Sequence, residues 1–251
     1  MLFNSFSFLL YFPVVILIYY LIKGNNFRKV FLIIASIFFV YQANVLSLLV
    51  ILSSVIVNYF LGIEIYKRTE RKAGTIIFII GVVINVAALV LFKYLTFLTI
   101  NLDIILKPFN LNLENLSLNW ILPLGISFYT FQAISYLIEV HRGSMEVEKS
   151  FISFFNYLLF FPKLLAGPVE RPYNFLPQFE SKIEFDWNNI NAGLQRIIWG
   201  FFKKLVVADR LAIYVNTVFA NHEHHNGTTL LFATLLYVFQ LYADFSGYTD
   251  I

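Results

Sequence analysis

Of the 251 residues, 59% belong to the apolar class and only 13% are charged, against about 25% charged in soluble domains, so the bilayer is the solvent to assume. A net charge of only +3, with no basic block, RNA-binding signature or zinc-finger spacing, excludes nucleic acid as a partner. The chain has no cysteine, which excludes disulfides and thiolate metal sites.

Leu2 to Ile22 is uncharged and meets the roughly 20 residues of apolar helix that a bilayer core requires. No basic segment precedes it and no small-residue cleavage pattern follows, so it reads as an anchor. Residues 30–63 are also uncharged and too long for one span; Tyr41-Gln42-Ala43-Asn44 in the middle is expected to turn the chain. Lys23, Arg28 and Lys29 precede this stretch, and Lys67, Arg68, Arg71 and Lys72 follow it. A hairpin puts both clusters on one side, as the positive-inside rule prefers, and leaves the N-terminus outside.

Ala73 to Phe92 is expected to cross outward. Residues 93–119 then form an outer loop with an interfacial helix, and Asn119 to Ile138 crosses back to a stop at Glu139, His141, Arg142 and Gly143. Phe151 to Phe161 spans only about 16 Å as a helix, short of a ~30 Å core, and reads as re-entrant or interfacial. Pro172 to Trp187 is polar and reads as a cytoplasmic connection. Ile190 to Phe219 carries Arg196, Lys203, Lys204 and Arg210 among apolar residues, a pattern for a helix in the inner interface with its bases at the headgroups. A last apolar run begins at Thr228. With no tandem repeat, linker or soluble domain, residues 1–251 read as part of a single all-α, polytopic membrane domain.

Two polar stripes could line a cavity. Tyr129, Gln132 and Tyr136 share one helical face, as do Tyr237, Gln240, Asp244 and Tyr248. The first stripe fits interhelical hydrogen bonding as well as a tunnel lining. Asp244 is a functional candidate by virtue of its depth, or an acid reaching the interface from a helix end. His222, Glu223, His224 and His225 are contiguous and run into Asn226-Gly227, so they read as a solvated loop and not as a metal site.

Three segments carry a more specific signal: Leu122 to Tyr136 (LPLGISFYTFQAISY); Phe161 to Pro168 (FPKLLAGP) with Arg171 and Pro177-Gln178; and Gly200 to Lys204 with Ala208-Asp209, followed by Gln240 to Asp250. Their order and spacing resemble the membrane-bound O-acyltransferase family, in its bacterial branch of alginate, peptidoglycan and teichoic-acid modifying enzymes. The resemblance implies a ring of transmembrane and re-entrant helices around a tunnel, with an acyl donor presented from the cytoplasm and an acceptor reached from the other side. It implies acyl transfer to a hydroxyl, most simply O-acetylation of an envelope polymer at the plasma membrane. Tyr129, Gln132, Tyr136, Gln240, Asp244 and Tyr248 are then tunnel-lining candidates.

Arg171, Lys203 and Lys204 would face an anionic donor, acetyl-CoA or an acyl-carrier thioester, acting as co-substrate with no bound cofactor; positive-inside anchoring accounts for the same residues. Beyond the bilayer and the donor, the implied partners are an extracytoplasmic acyl-accepting protein and a polysaccharide. The family's histidine motifs, a Trp-Arg-Arg-Trp-His-like run and a later Trp-His-Gly-like one, do not occur in this sequence. None of His141, His222, His224 or His225 stands in a matching context, so none receives the catalytic role. The sequence reads as the N-terminal half of an acyltransferase, incomplete at its C-terminus. The rival readings are a non-catalytic membrane scaffold or export partner and a polytopic transporter; a transporter is expected to show inverted repeats and paired broken helices.

Overall fold

The computed structural model describes residues 5–68, 72–106, 122–164, 167, 170–181 and 183–251. All regular structure among them is helical: α1 (Phe6–Leu21), α2 (Asn25–Tyr41), α3 (Val45–Lys67), α4 (Lys72–Leu106), α5 (Ile126–His141), α6 (Phe151–Leu159), α7 (Phe161–Leu164) and α8 (Pro172–Glu180). After α9 (Trp187–Phe201), a π-helical segment (Phe202–Ala208) leads into α10 (Asp209–Ala220). A short 3-10 turn (His222–His224) then precedes α11 (Gly227–Asp250). Among the described residues, Val45–Lys67, Lys72–Tyr94 and Gly227–Asp250 are long and apolar enough to cross a membrane. The protein is an all-α polytopic membrane protein. Its contacts group α2–α8 into one compact unit and α9–α11 into a second, a grouping of which the sequence, lacking a linker, gives no sign.

The expected break in residues 30–63 falls where the polar tetrapeptide lies. Asn44 ends the turn by accepting the backbone N–H of Ser47 at 2.6 Å, which satisfies one of the open donors at the start of α3. Three other expectations need correction. The helix expected to end at Phe92 runs on to Leu106, about 52 Å in all, because nothing in Lys93-Tyr94 breaks it. The remainder of the expected outer loop, 107–121, lies outside the described residues.

The span expected over Asn119 to Ile138 is a shorter helix that starts at Ile126. Pro123 and Gly125 set that start: Gly125 adopts φ +69°, and a Cβ there would lie 2.4 Å from the Leu164 carbonyl oxygen. At 16 residues, α5 is about 24 Å long and packs among α3, α4, α6 and α8; Ala133, Tyr136, Leu137 and Val140 are fully buried. It is a core helix. Likewise, the polar stretch after Pro172 is not merely a connection. It forms α8, with Pro172 in the first turn, where its missing N–H costs nothing.

Lys29, placed by the sequence in a basic cluster flanking the hairpin, is 4% exposed. Its ammonium pairs with Glu180 and lies 3.2 Å from Ser153 Oγ, which itself donates to Glu180 at 2.7 Å. Asn25 Nδ2 donates to the Phe179 carbonyl at 2.8 Å, so α2, α6 and α8 are tied together by polar contacts. In the same unit, the α3–α4 contact buries a reciprocal amide pair: Asn58 and Asn85 exchange hydrogen bonds of 3.1 and 2.7 Å.

The hydrogen bond from Lys29, then that from Ser153, holds the Glu180 carboxyl below the usual carboxylate range. A lowered folded-state value stabilises the fold above the ordinary carboxylate range, and that contribution is lost as pH falls through the lowered value. Glu180→Gln is therefore expected to cost about 1–2 kcal/mol near neutrality, because the acid is half-exposed. The difference in thermal midpoint from the parent should shrink below about pH 4. A pH-independent difference would contradict this pairing.

Candidate functional site

In the second unit, α9 and α11 meet at a glycine pair. A Cβ on Gly200 would lie 2.8 Å from the Gly247 carbonyl oxygen, and one on Gly247 would lie 3.0 Å from that of Gly200. Small residues let membrane helices approach this closely. The π segment follows immediately and carries Lys203 and Lys204 against α11. On α11, Asp244 and Tyr248 form one ridge and Ser246 and Asp250 the next, each pair four residues apart.

Each lysine takes one ridge. Lys203 pairs with Asp250 and donates to Ser246 Oγ at 2.7 Å. Lys204 Nζ lies 2.5 Å from Asp244 Oδ1, 2.9 Å from Asp209 Oδ1 and 5.0 Å from the centre of the Tyr248 ring. Burial works against the Lys204 charge, but the Asp244 and Asp209 carboxylates outweigh it and raise the ammonium above the ordinary lysine range. A lone acid or base deep in a membrane costs roughly 2.5–3.5 kcal/mol. An ion pair at 4 Å gains about 4 kcal/mol at an effective dielectric of 20, so pairing decides the balance. Lys203 and Lys204 are thus counter-ions to the acids around them, a role that a count of basic residues does not show. Asp244 meets the π segment through Lys204 while its side chain stays 40% exposed. Asp250, which is not a member of the Tyr237 to Tyr248 stripe, is paired with Lys203 as Asp244 is with Lys204.

The other candidates divide. Tyr237 is exposed, with its ring beside Phe219. Gln240 has a buried Oε1 with no hydrogen-bond partner. In the first unit, Tyr129 and Gln132 are 2% and 3% exposed, and among the described residues Tyr129 Oη and Gln132 Nε2 also lack partners. Tyr136 is committed to packing: its hydroxyl accepts the Glu148 N–H at 3.2 Å, and its ring fills the space left by the missing side chain of Gly62. Arg171 is exposed and donates to Tyr173 Oη at 3.0 Å. His222 and His224 are exposed, whereas His141 stacks on Phe78 at 4.5 Å.

Sequence reasoning missed Lys163. Its amine is buried without a hydrogen-bond partner among the described residues, 3.5 Å from the centre of the Phe175 ring. The only signal was a base inside an aromatic segment. Among the described residues, six buried side-chain polar atoms lack partners, and three belong to the lining candidates Tyr129, Gln132 and Gln240. Such groups are costly in an apolar interior, and native proteins leave few of them.

The family model of the membrane-bound O-acyltransferase (MBOAT) family matches residues 118–251. The chain belongs to that family. It is 37% identical over its whole length to the probable alginate O-acetylase AlgI of Pseudomonas aeruginosa, covering 48% of that protein. It is 33% identical, again over its whole length, to the peptidoglycan O-acetyltransferase of Helicobacter pylori, covering 53% of it. The teichoic acid D-alanyltransferase of Bacillus subtilis is 27% identical over 52% of this chain and 34% of its own. The chain spans about half the length of the first two.

The glycine contact generates a test with an internal control. Gly200→Ala forces backbone apart and is expected to cost about 1–3 kcal/mol of unfolding free energy. Gly193→Ala, where nothing lies within 4 Å, should be neutral or gain up to about 1 kcal/mol. Equal effects in a denaturation series in bicelles would remove the close approach of α9 and α11 from the account.

Proposed function

We propose that this chain serves O-acetyl transfer to a hydroxyl of a cell-envelope polymer, in the plasma membrane with its N-terminus outside. The observation that supports this most is the whole-chain similarity to two relatives named as an O-acetylase and an O-acetyltransferase. The donor is a thioester, acetyl-CoA or an acyl-carrier thioester. The acceptor is a polysaccharide hydroxyl, reached directly or through an extracytoplasmic acyl-accepting protein. Tyr129 and Gln132 in the first unit, and Gln240 in the second, are the lining candidates, each within its own unit: Tyr129 Oη and Gln132 Nε2 are buried donors and Gln240 Oε1 is a buried acceptor. Donors fixed in an apolar cavity can steady a thioester carbonyl as charge builds on its oxygen.

In the second unit Asp244 and Tyr248 are lining candidates held against Lys204, and in the first unit Tyr136 fixes the orientation of α5. Arg171 meets the donor's anionic groups, while Lys203 and Lys204 keep their charge on the aspartates. The catalytic base is assigned to none of His141, His222, His224 or His225.

The test is a chimera in which residues 1–251 replace the matching portion of the Pseudomonas aeruginosa relative, expressed in a host lacking its own acetylase. Acetate released from the polymer by mild alkali is the readout. The chimera should acetylate, and Tyr129→Phe with Gln240→Leu should lower release by about 10-fold or more at unchanged protein level. The 251-residue chain expressed alone should release none. A well-expressed but inactive chimera would favour the scaffold reading. Full activity of the double variant would take these residues out of the lining.

A further inference from the structure

An aromatic seam joins α6 to α8 in the first unit. Phe175 on α8 lies 6.2 Å from Tyr157, 5.5 Å from Phe160 and 4.9 Å from Phe179, centre to centre, and Phe160 meets Phe179 at 5.8 Å. Into this seam α7 delivers the side chain of Lys163. Its Nζ sits 3.5 Å from the centre of the Phe175 ring and 4.8 Å from that of Tyr157. The atom is closed to solvent and, among the described residues, has no hydrogen-bond partner. The backbone of α7 is held at both ends. The Phe161 N–H donates to Ser36 Oγ at 3.2 Å, and the Leu164 carbonyl is packed against Gly125. A change of charge on Lys163 is therefore met in the seam and not by a shift of α7.

That seat suits an amine better than an ammonium. Two ring faces attract a cation, but neither replaces the hydrogen bonds that an ammonium's three N–H groups make in water. Burial, opposed by the charge of Glu170, pushes the Lys163 pKa down to about 7. The other ionisable groups on the neighbouring elements are engaged elsewhere. Tyr157 on α6 donates to the Gln132 carbonyl at 3.1 Å, and burial holds its hydroxyl above the ordinary tyrosine range. On α5, Glu139 is bonded to Ser144 and His141 is stacked on Phe78. On α2, Lys29 is paired with Glu180 at the end of α8, and Arg28 donates to the Ile22 carbonyl. Arg171, ahead of α8, donates to Tyr173.

We propose that Lys163 is a proton-operated latch: as an uncharged amine it lets α8 close on α6 and keeps Tyr157 seated against α5, and proton uptake releases α8. In an open seam Lys163 returns to the ordinary lysine range, so the closed seam binds fewer protons than the open one. Closure therefore strengthens as pH rises from about 7 toward that range, and no further penalty accrues below about 7. Because the Tyr157 hydroxyl ends on Gln132, the latch reaches the residue of α5 that carries a lining candidate.

Hydrogen–deuterium exchange of residues 172–180, in the 251-residue chain in nanodiscs, tests this between about pH 5.5 and 8.5. Rates are corrected for the intrinsic pH dependence of exchange. Residues 187–201, whose one ionisable side chain is Arg196, serve as the internal reference. Protection of 172–180 should rise about ten-fold per pH unit above about pH 7 and level off below it. Lys163→Met should hold protection high and independent of pH. Lys163→Arg, charged throughout, should hold it low and independent of pH. Glu170→Gln should move the level-off to lower pH, which a purely structural role for Lys163 would not produce.

A rise of equal size in Lys163→Met, or parent protection of 172–180 that follows 187–201 at every pH, would overturn the proposal. The readout is exchange and not transfer, so the latch stands or fails separately from the proposed acyl transfer.

Discussion

Polar groups carried among apolar helices must find partners, and the second unit depends on how the π segment meets that demand. Lys203 and Lys204 are consecutive, yet they reach two different ridges of α11 and tie down Asp250 and Asp244. The glycine pair just before them brings the backbones close enough for these side chains to meet. An irregular turn at this point fits the tendency of π-helical segments to mark functional positions. The same demand orders the first unit, through Lys29 with Glu180 and Ser153 and through the Asn58–Asn85 amide pair.

Where the demand goes unmet, the exceptions are informative. Among the described residues, Tyr129 Oη, Gln132 Nε2 and Gln240 Oε1 are buried without partners, on helical faces that their spacing aligns. A structural polar stripe would be expected to close on itself, as Tyr136 does with Glu148 and as Asn58 does with Asn85. Tyr129 Oη and Gln132 Nε2 keep a donor to offer, whereas Gln240 Oε1 can only accept. Lys163 is the amine case: its buried Nζ rests on the Phe175 and Tyr157 rings, and burial pushes its pKa down to about 7.

Much of this was legible in the sequence. Helix class, membrane environment and the turn before Asn44 follow from the length of apolar runs and one polar tetrapeptide. The family could be read from three motifs, one of which, Phe161 to Pro168, lies partly outside the described residues. Charge pairing was not legible, because a sequence presents Lys29, Lys203 and Lys204 only as bases near apolar runs. Their partners are 151, 40 and 47 residues away for Lys29–Glu180, Lys204–Asp244 and Lys203–Asp250. The start of α5 was misjudged because hydropathy continues through Pro123 to Gly125, whereas the backbone turns there. Hydropathy also cannot tell a lipid-facing helix from one enclosed by its neighbours, which is why α5 read as a span.

The central claim is that the pairing of the π-segment lysines with α11 organises the second unit. A double-mutant cycle of Lys204→Met and Asp244→Leu, read as unfolding free energy in bicelles, tests it most directly. Each single variant leaves a charge without its partner and should destabilise. The double variant should recover much of the loss, with a coupling energy of about 1.5–3 kcal/mol. Additive effects, with coupling below about 0.5 kcal/mol, would mean that the two side chains do not act as a pair and would contradict the account.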